Sequence, residues 1–151
     1  MKTKAVLIVM AALIVICIFA PLVSAETAEE WNEEGVAFAM SDEYERAIIE
    51  DYNKTIELDP NYAYAYYNRG NAYSDLMQYE RAIEDYNKTI ELDPNYTHAY
   101  NNRGNAYYYL MQYERAIEDY NKTIELDPNY AYAYNNRGLA RSKLEEQEGE
   151  P

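Results

Sequence analysis

Cysteine, histidine and tryptophan each occur once in the 151 residues, and phenylalanine twice. Cys17 falls in the apolar N-terminal run, so everything after it lacks a thiol and can hold no disulfide; stability there must come from packing alone. His98 is the sole imidazole, and no serine stands in a nucleophile context, so neither a catalytic triad nor a histidine-based metal site has its parts. Glu84-Asp85 and Glu118-Asp119 could flank a bond, but they recur with the chain's period and read as solvated helix faces. Basic residues are scarce too: 13 against 27 acids, a net charge of −14, which repels nucleic acid and anionic lipid. No compact loop alternates oxygen ligands as calcium requires. The expectation is a protein with no cofactor, no metal and no catalysis.

Long apolar runs are absent except at the start. Lys2 and Lys4 precede an uninterrupted stretch from Ala5 to Ala20, followed by Pro21 and by the small pair Ser24 and Ala25. Residues 1–25 therefore read as an export signal or, if uncleaved, as an N-terminal membrane anchor, the only membrane contact expected. Ile16 before Cys17 is too large for a lipidation site. Either fate puts the remainder extracellular or on the outer side of the cytoplasmic membrane. Losing Lys2 and Lys4 would leave 11 basic residues against 27 acids, a net charge near −16.

What is abundant is tyrosine, with 19 copies, and it is periodic. Arg69 to Tyr96 recurs from Arg103 to Tyr130 with changes only at Ser74/Tyr108 and Asp75/Tyr109, and Pro60, Pro94 and Pro128 are each 34 residues apart. A period of 34 predicts stacked helix-turn-helix units. The units fall at about 28–62, 63–96 and 97–130, with a closing helix over 128–144 and an acidic tail over 145–151. The spacing predicts a first helix over Glu26 to Met40, a polar break at Ser41 to Glu43 and a second helix ending near Leu58. Asp59-Pro60 reads as a cap followed by proline in the first turn of the next helix. Gly70 and Ala82 let paired backbones approach while tyrosines fill the layers beside them. Gly35 and Ala47 precede Gly70 and Ala82 by 35 residues, whereas Tyr52 precedes Tyr86 by 34; the extra residue at Ile48-Ile49 predicts a bulge or a phase change.

Tyr66, Gly70, Tyr73, Ala82, Tyr86 and Pro94, repeated at Tyr100, Gly104, Tyr107, Ala116, Tyr120 and Pro128, resemble the tetratricopeptide repeat pattern. Trp31, Gly35, Phe38, Ala47, Tyr52 and Pro60 match it apart from the inserted residue. The resemblance spans nearly all of 26–144 and implies an all-α fold, a right-handed superhelix of antiparallel helix pairs. It also implies a concave wall, built by the first helix of each unit, that receives a protein or peptide. The side chains so placed are Glu29, Asn32, Val36 and Met40, then Tyr64, Tyr67, Asn71 and Asp75, then His98, Asn101, Asn105 and Tyr109, and last Tyr132, Asn135 and Leu139.

Asparagine offers a donor and an acceptor to a peptide backbone, and tyrosine offers broad contact. The same asparagines could instead satisfy tyrosine hydroxyls within the stack. Chaperone-binding members hold a C-terminal carboxylate with lysines, but Asn32, Tyr67 and Asn101 occupy the lysine position, which disfavours that ligand. Arg69, Arg103 and Arg137 are placed to pair with acids of an adjacent helix. Asn53, Asn87, Asn95 and Asn121 match the glycosylation acceptor pattern. The reading is an exported, non-catalytic scaffold for a protein or peptide; the alternative is an envelope component that assembles with itself as a homo-oligomer.

Overall fold

The computed structural model describes residues 25–149, with side chains from residue 42 to 149. Among the described residues there are six helices: α1 (Ala25–Leu58), α2 (Ala63–Asp75), α3 (Tyr79–Leu92), α4 (Thr97–Tyr109), α5 (Tyr113–Leu126) and α6 (Ala131–Gly149). From Asp42 onward they form one compact unit in which α2 pairs with α3 and α4 with α5, and α6 packs on α5. The expected signal or anchor over 1–25 lies outside the described residues apart from Ala25, and so do the side chains of Glu29, Trp31, Asn32, Val36, Phe38 and Met40 and the packing at Gly35.

Two kinds of turn alternate. At Asp59, Asp93 and Asp127 the carboxylate Oδ1 accepts the amide of the residue two ahead at 2.9–3.0 Å, closing an aspartate turn around the proline. The next helix starts only after Tyr62, Tyr96 or Tyr130, so the expectation that the proline opens the helix is corrected. Tyr66, Tyr100 and Tyr134 then fasten each turn by donating to the carbonyl of Pro60, Pro94 and Pro128, all at 3.2 Å.

The other turn joins partners within a pair. Met77 has φ 56° and Met111 φ 58°, the left-handed region. Gln78 N donates to Tyr73 O at 2.8 Å and Met77 N to Ser74 O at 2.9 Å, and the same two bonds recur at Gln112 and Met111. These satisfy carbonyls that the helix end would leave bare, and the reversal needs only three residues.

Close approach at the two glycines sets the packing within a pair. A Cβ built on Gly70 would lie 2.8 Å from Tyr86 Cε1, and one on Gly104 would lie 2.8 Å from Tyr120 Cε1. Ala82 and Ala116 are fully buried, and Tyr86 and Tyr120 are nearly so. Tyr86, Ala82, Tyr73 and Ala72 cluster with Ile49 of α1, and the equivalent residues Tyr120, Ala116, Tyr107 and Ala106 cluster with Ile83.

Ser41 to Glu43 does not break the chain: α1 is one helix of 34 residues, correcting the expected two. The extra residue near Ile48-Ile49 is absorbed as a phase change. Ile49 is buried like Ile83, its counterpart 34 residues on, whereas Ala47 and Tyr44 are exposed. In a continuous helix one added residue rotates everything upstream by about 100°. Only the part of α1 after Ile48 therefore keeps the register of α3 and α5.

Candidate functional site

Consecutive first helices α2, α4 and α6 are stitched together by asparagines. Asn71 Oδ1 accepts Tyr86 OH at 2.9 Å and Asn102 Nδ2 at 2.9 Å, and Asn105 Oδ1 accepts Tyr120 OH at 2.9 Å and Asn136 Nδ2 at 3.0 Å. The same asparagines thus serve the stack through one atom. Their Nδ2 groups make no hydrogen bond among the described residues, which leaves two donors 34 positions apart in sequence on the half-buried face of α2 and α4.

Around them lie the tyrosines. Tyr64, Tyr109 and Tyr132 are exposed, and Tyr109 stacks on Tyr79 with centroids 5.0 Å apart. Tyr67 packs against Tyr96 at 4.9 Å, and His98 meets Tyr130 edge-on at 5.5 Å with Nδ1 3.0 Å from its hydroxyl. Burial, helped by Tyr67, pushes the Tyr96 and Tyr130 hydroxyls above their usual pKa, so both remain neutral donors. Tyr96 and Tyr130 were not among the residues picked out by sequence, although the recurrence of Asp-Pro-Asn-Tyr at Tyr62, Tyr96 and Tyr130 marks them.

Two hollows result. One of about 190 Å³ is lined by Asn105, Tyr108, Tyr109, Tyr120, Asn136 and Leu139. The other, of about 350 Å³, is lined by the turn residues Asp93, Asn95, Tyr96 and Asp127 together with Thr97, His98 and Tyr130. Asn105 and Tyr109 are thus brought together, and His98 belongs to a separate hollow. Asn101 does not line an open wall: it is 6% exposed, its Nδ2 reaches Asn102 Oδ1 at 3.1 Å, and its Oδ1 is buried without a partner. Asn135 is exposed.

The arginines turn away from this face. Arg69 grips Asp85 with two bonds of 2.8 and 2.6 Å and donates to Asn53 at 2.7 Å; Arg103 does the same with Asp119 and Asn87. Asp85 and Asp119 are each 4% exposed, which corrects their reading as solvated acids. Burial holds both carboxyls above the ordinary range even with a guanidinium on each. Arg69 and Arg103 are the only Lys or Arg of α2 and α4, so these two helices offer no free cation. Asn53, Asn87 and Asn121, three of the sequon residues, accept Arg69, Arg103 and Arg137 from within helices, whereas Asn95 lies in an exposed turn.

Models of the tetratricopeptide repeat match residues 63–96, 98–130 and 119–149, and a TPR repeat model matches 35–76. The chain belongs to the tetratricopeptide repeat family. Its helix pairs are TPR units, and α6 has the sequence of a first helix, with no second helix packed on it among the described residues. Among solved structures, the first TPR of Spaghetti (RPAP3) bound to the HSP90 peptide SRMEEVD is 32% identical, with TM-score 0.65 over 81% of this chain and 96% of that one. The second TPR domain of human RPAP3, in complex with the HSP70 peptide SGPTIEEVD, is 31% identical, with TM-score 0.63 over 73% and 91%. A MamA protein is 34% identical, with TM-score 0.62 over 64% of this chain; the TPR chain described here spans about half, 52%, of its length. No curated protein matches the chain. Among the described residues no helix is long and apolar enough to cross a membrane, and no group of acids, histidines and cysteines could hold a metal ion.

Proposed function

We propose that this protein is an exported, non-catalytic scaffold whose α2, α4 and α6 face takes an extended peptide segment without charge or with positive charge. The observation that supports this most directly is the pair of unused Nδ2 donors on Asn71 and Asn105, held rigid by their Oδ1 bonds and flanked by exposed tyrosines. Each such donor suits a backbone carbonyl of an extended chain. The peptide complexes of RPAP3 support a peptide partner. The acidic peptides in those complexes are a poor match here, because Arg69 and Arg103 are already bound to buried aspartates and the chain is strongly acidic. The apolar stretch from Ala5 to Ala20 after Lys2 and Lys4 supports export.

Peptides selected from a random library on the full chain test the reading. Selected peptides should bind equally well with a free or an amidated C-terminus. An uncharged one should bind about tenfold more weakly to the Asn105→Asp variant, which keeps the acceptor for Tyr120 and removes the donor. Peptides that require a free carboxylate would show that the face works as a carboxylate clamp instead. Export is checked separately, by locating the chain in fractionated cells and sequencing its N-terminus.

A further inference from the structure

Among the described residues, α6 and the second half of α1 carry uncovered groups that complement each other. In the two complete TPR pairs, the first helix presents an arginine and a glycine, and the second covers them with an aspartate and a tyrosine: Arg69 and Gly70 under Asp85 and Tyr86, Arg103 and Gly104 under Asp119 and Tyr120. Helix α6 presents Arg137 and Gly138 in the same register, but nothing lies within 4 Å of a Cβ at Gly138. Arg137 bonds only Asn121 among the described residues, and Tyr134 is 45% exposed where Tyr100 is 9%. At the other end, α1 carries Asp51 and Tyr52 in the register of Asp85 and Tyr86. Asp51 is exposed and Tyr52 half-buried, where their counterparts are 4% and 1% exposed.

We infer that the α6 face of one copy docks on the α1 face of a second copy, completing a TPR pair between molecules through Arg137–Asp51 and Gly138–Tyr52. The occupant is a second copy of this chain because its α1 supplies both partners that α6 lacks among the described residues, at the sequence spacing the internal pairs use. The phase change in α1 favours the fit. Helix α6 has Arg141 where Tyr73 and Tyr107 stand in the other first helices, and those tyrosines receive Arg81 and Arg115. In α1 the extra residue puts Ala47 rather than Arg46 at that register, so the position facing Arg141 carries no guanidinium. Two differences weaken the contact relative to an internal pair. Leu139 replaces the asparagine that accepts the tyrosine hydroxyl, and Ile48 stands in the register of Ala82. The association is therefore reversible, and because it joins unlike faces it runs head to tail rather than stopping at a two-fold dimer.

Sedimentation of the full chain over a concentration series tests this, with three variants that leave the single chain's contacts nearly intact. Wild type should show a mass that climbs with concentration. Gly138→Leu adds a side chain where the lone molecule has open space but where the ring of Tyr52 would sit, and should hold the protein at one chain's mass. Asp51→Arg alone and Arg137→Asp alone should also stay at one chain's mass, and an equimolar mixture of the two should associate again, since each then offers the opposite charge to the other. A wild type that remains a single chain throughout overturns the inference, as does association that persists in Gly138→Leu or fails to return in the mixture. The contact is tested at Gly138, Arg137 and Asp51, whereas peptide binding is tested at Asn71 and Asn105 on α2 and α4, so either can fail without the other.

Discussion

Gly104 and Gly138 occupy the same place in two copies of one helix and meet opposite surroundings. At Gly104 an added methyl collides with the ring of Tyr120 and comes within 3.3 Å of Ala116 O, so Gly104→Ala should destabilise by about 1–3 kcal/mol. At Gly138 the same change meets open space and gains helix propensity, so Gly138→Ala should stabilise by about 0.5–1 kcal/mol. Urea unfolding of both variants checks the pair, and equal signs would contradict the packing described. The rings they meet also titrate. Burial, reinforced at Tyr86 by Tyr67 and at Tyr120 by Tyr108, raises both phenols well above the usual tyrosine range. A raised folded-state pKa gives stability that is complete below the unfolded value, about 10, and is lost as pH climbs past it. Unfolding free energy should thus fall above about pH 10 by up to roughly 1.4 kcal/mol per pH unit for each ring, and Tyr120→Phe should remove one ring's share of the slope.

At the scale of the element, the turns were less legible than the helices. Spacings of 34 placed α2 to α5 and their glycine and alanine contacts, because a repeated helix pair must bury the same positions each time. The Asp-Pro turns misled because proline suits both a first helical turn and an aspartate turn, and only the Asp59 side chain's bond to Asn61 N distinguishes them. The left-handed Met77 and Met111 carried no sequence mark, since glycine is the usual residue there. Both side chains are mostly exposed, so Met77→Gly and Met111→Gly should each stabilise by about 0.5–1 kcal/mol in thermal unfolding. In α1 the absence of a glycine or proline at Ser41 to Glu43 leaves nothing to stop a helix, and the polar residues there suit an exposed one.

For the whole molecule, the site was half legible. The family resemblance assigned Asn71, Asn105 and Tyr109 to one wall, but it could not show that Asn71 and Asn105 each give their Oδ1 to the stack and keep Nδ2 without a partner among the described residues. Asn101 differs from its counterpart: the same register that leaves Asn135 exposed on the last helix buries Asn101 on α4. Electrostatics also act at this scale. Each of Arg69 and Arg103 neutralises a buried carboxylate, and Arg103→Ala, which strands Asp119, should cost about 3–5 kcal/mol in urea unfolding. With those cations engaged and a net charge of −14, the remaining surface repels anionic segments at low salt.

The most direct test of the account is the affinity of one selected uncharged peptide, amidated at its C-terminus, for wild type and for Asn71→Asp/Asn105→Asp, measured by calorimetry. The account predicts binding to wild type and a loss of tenfold or more, on the order of 1.4 kcal/mol, in the double variant at unchanged melting temperature. Equal affinity for both proteins would contradict it.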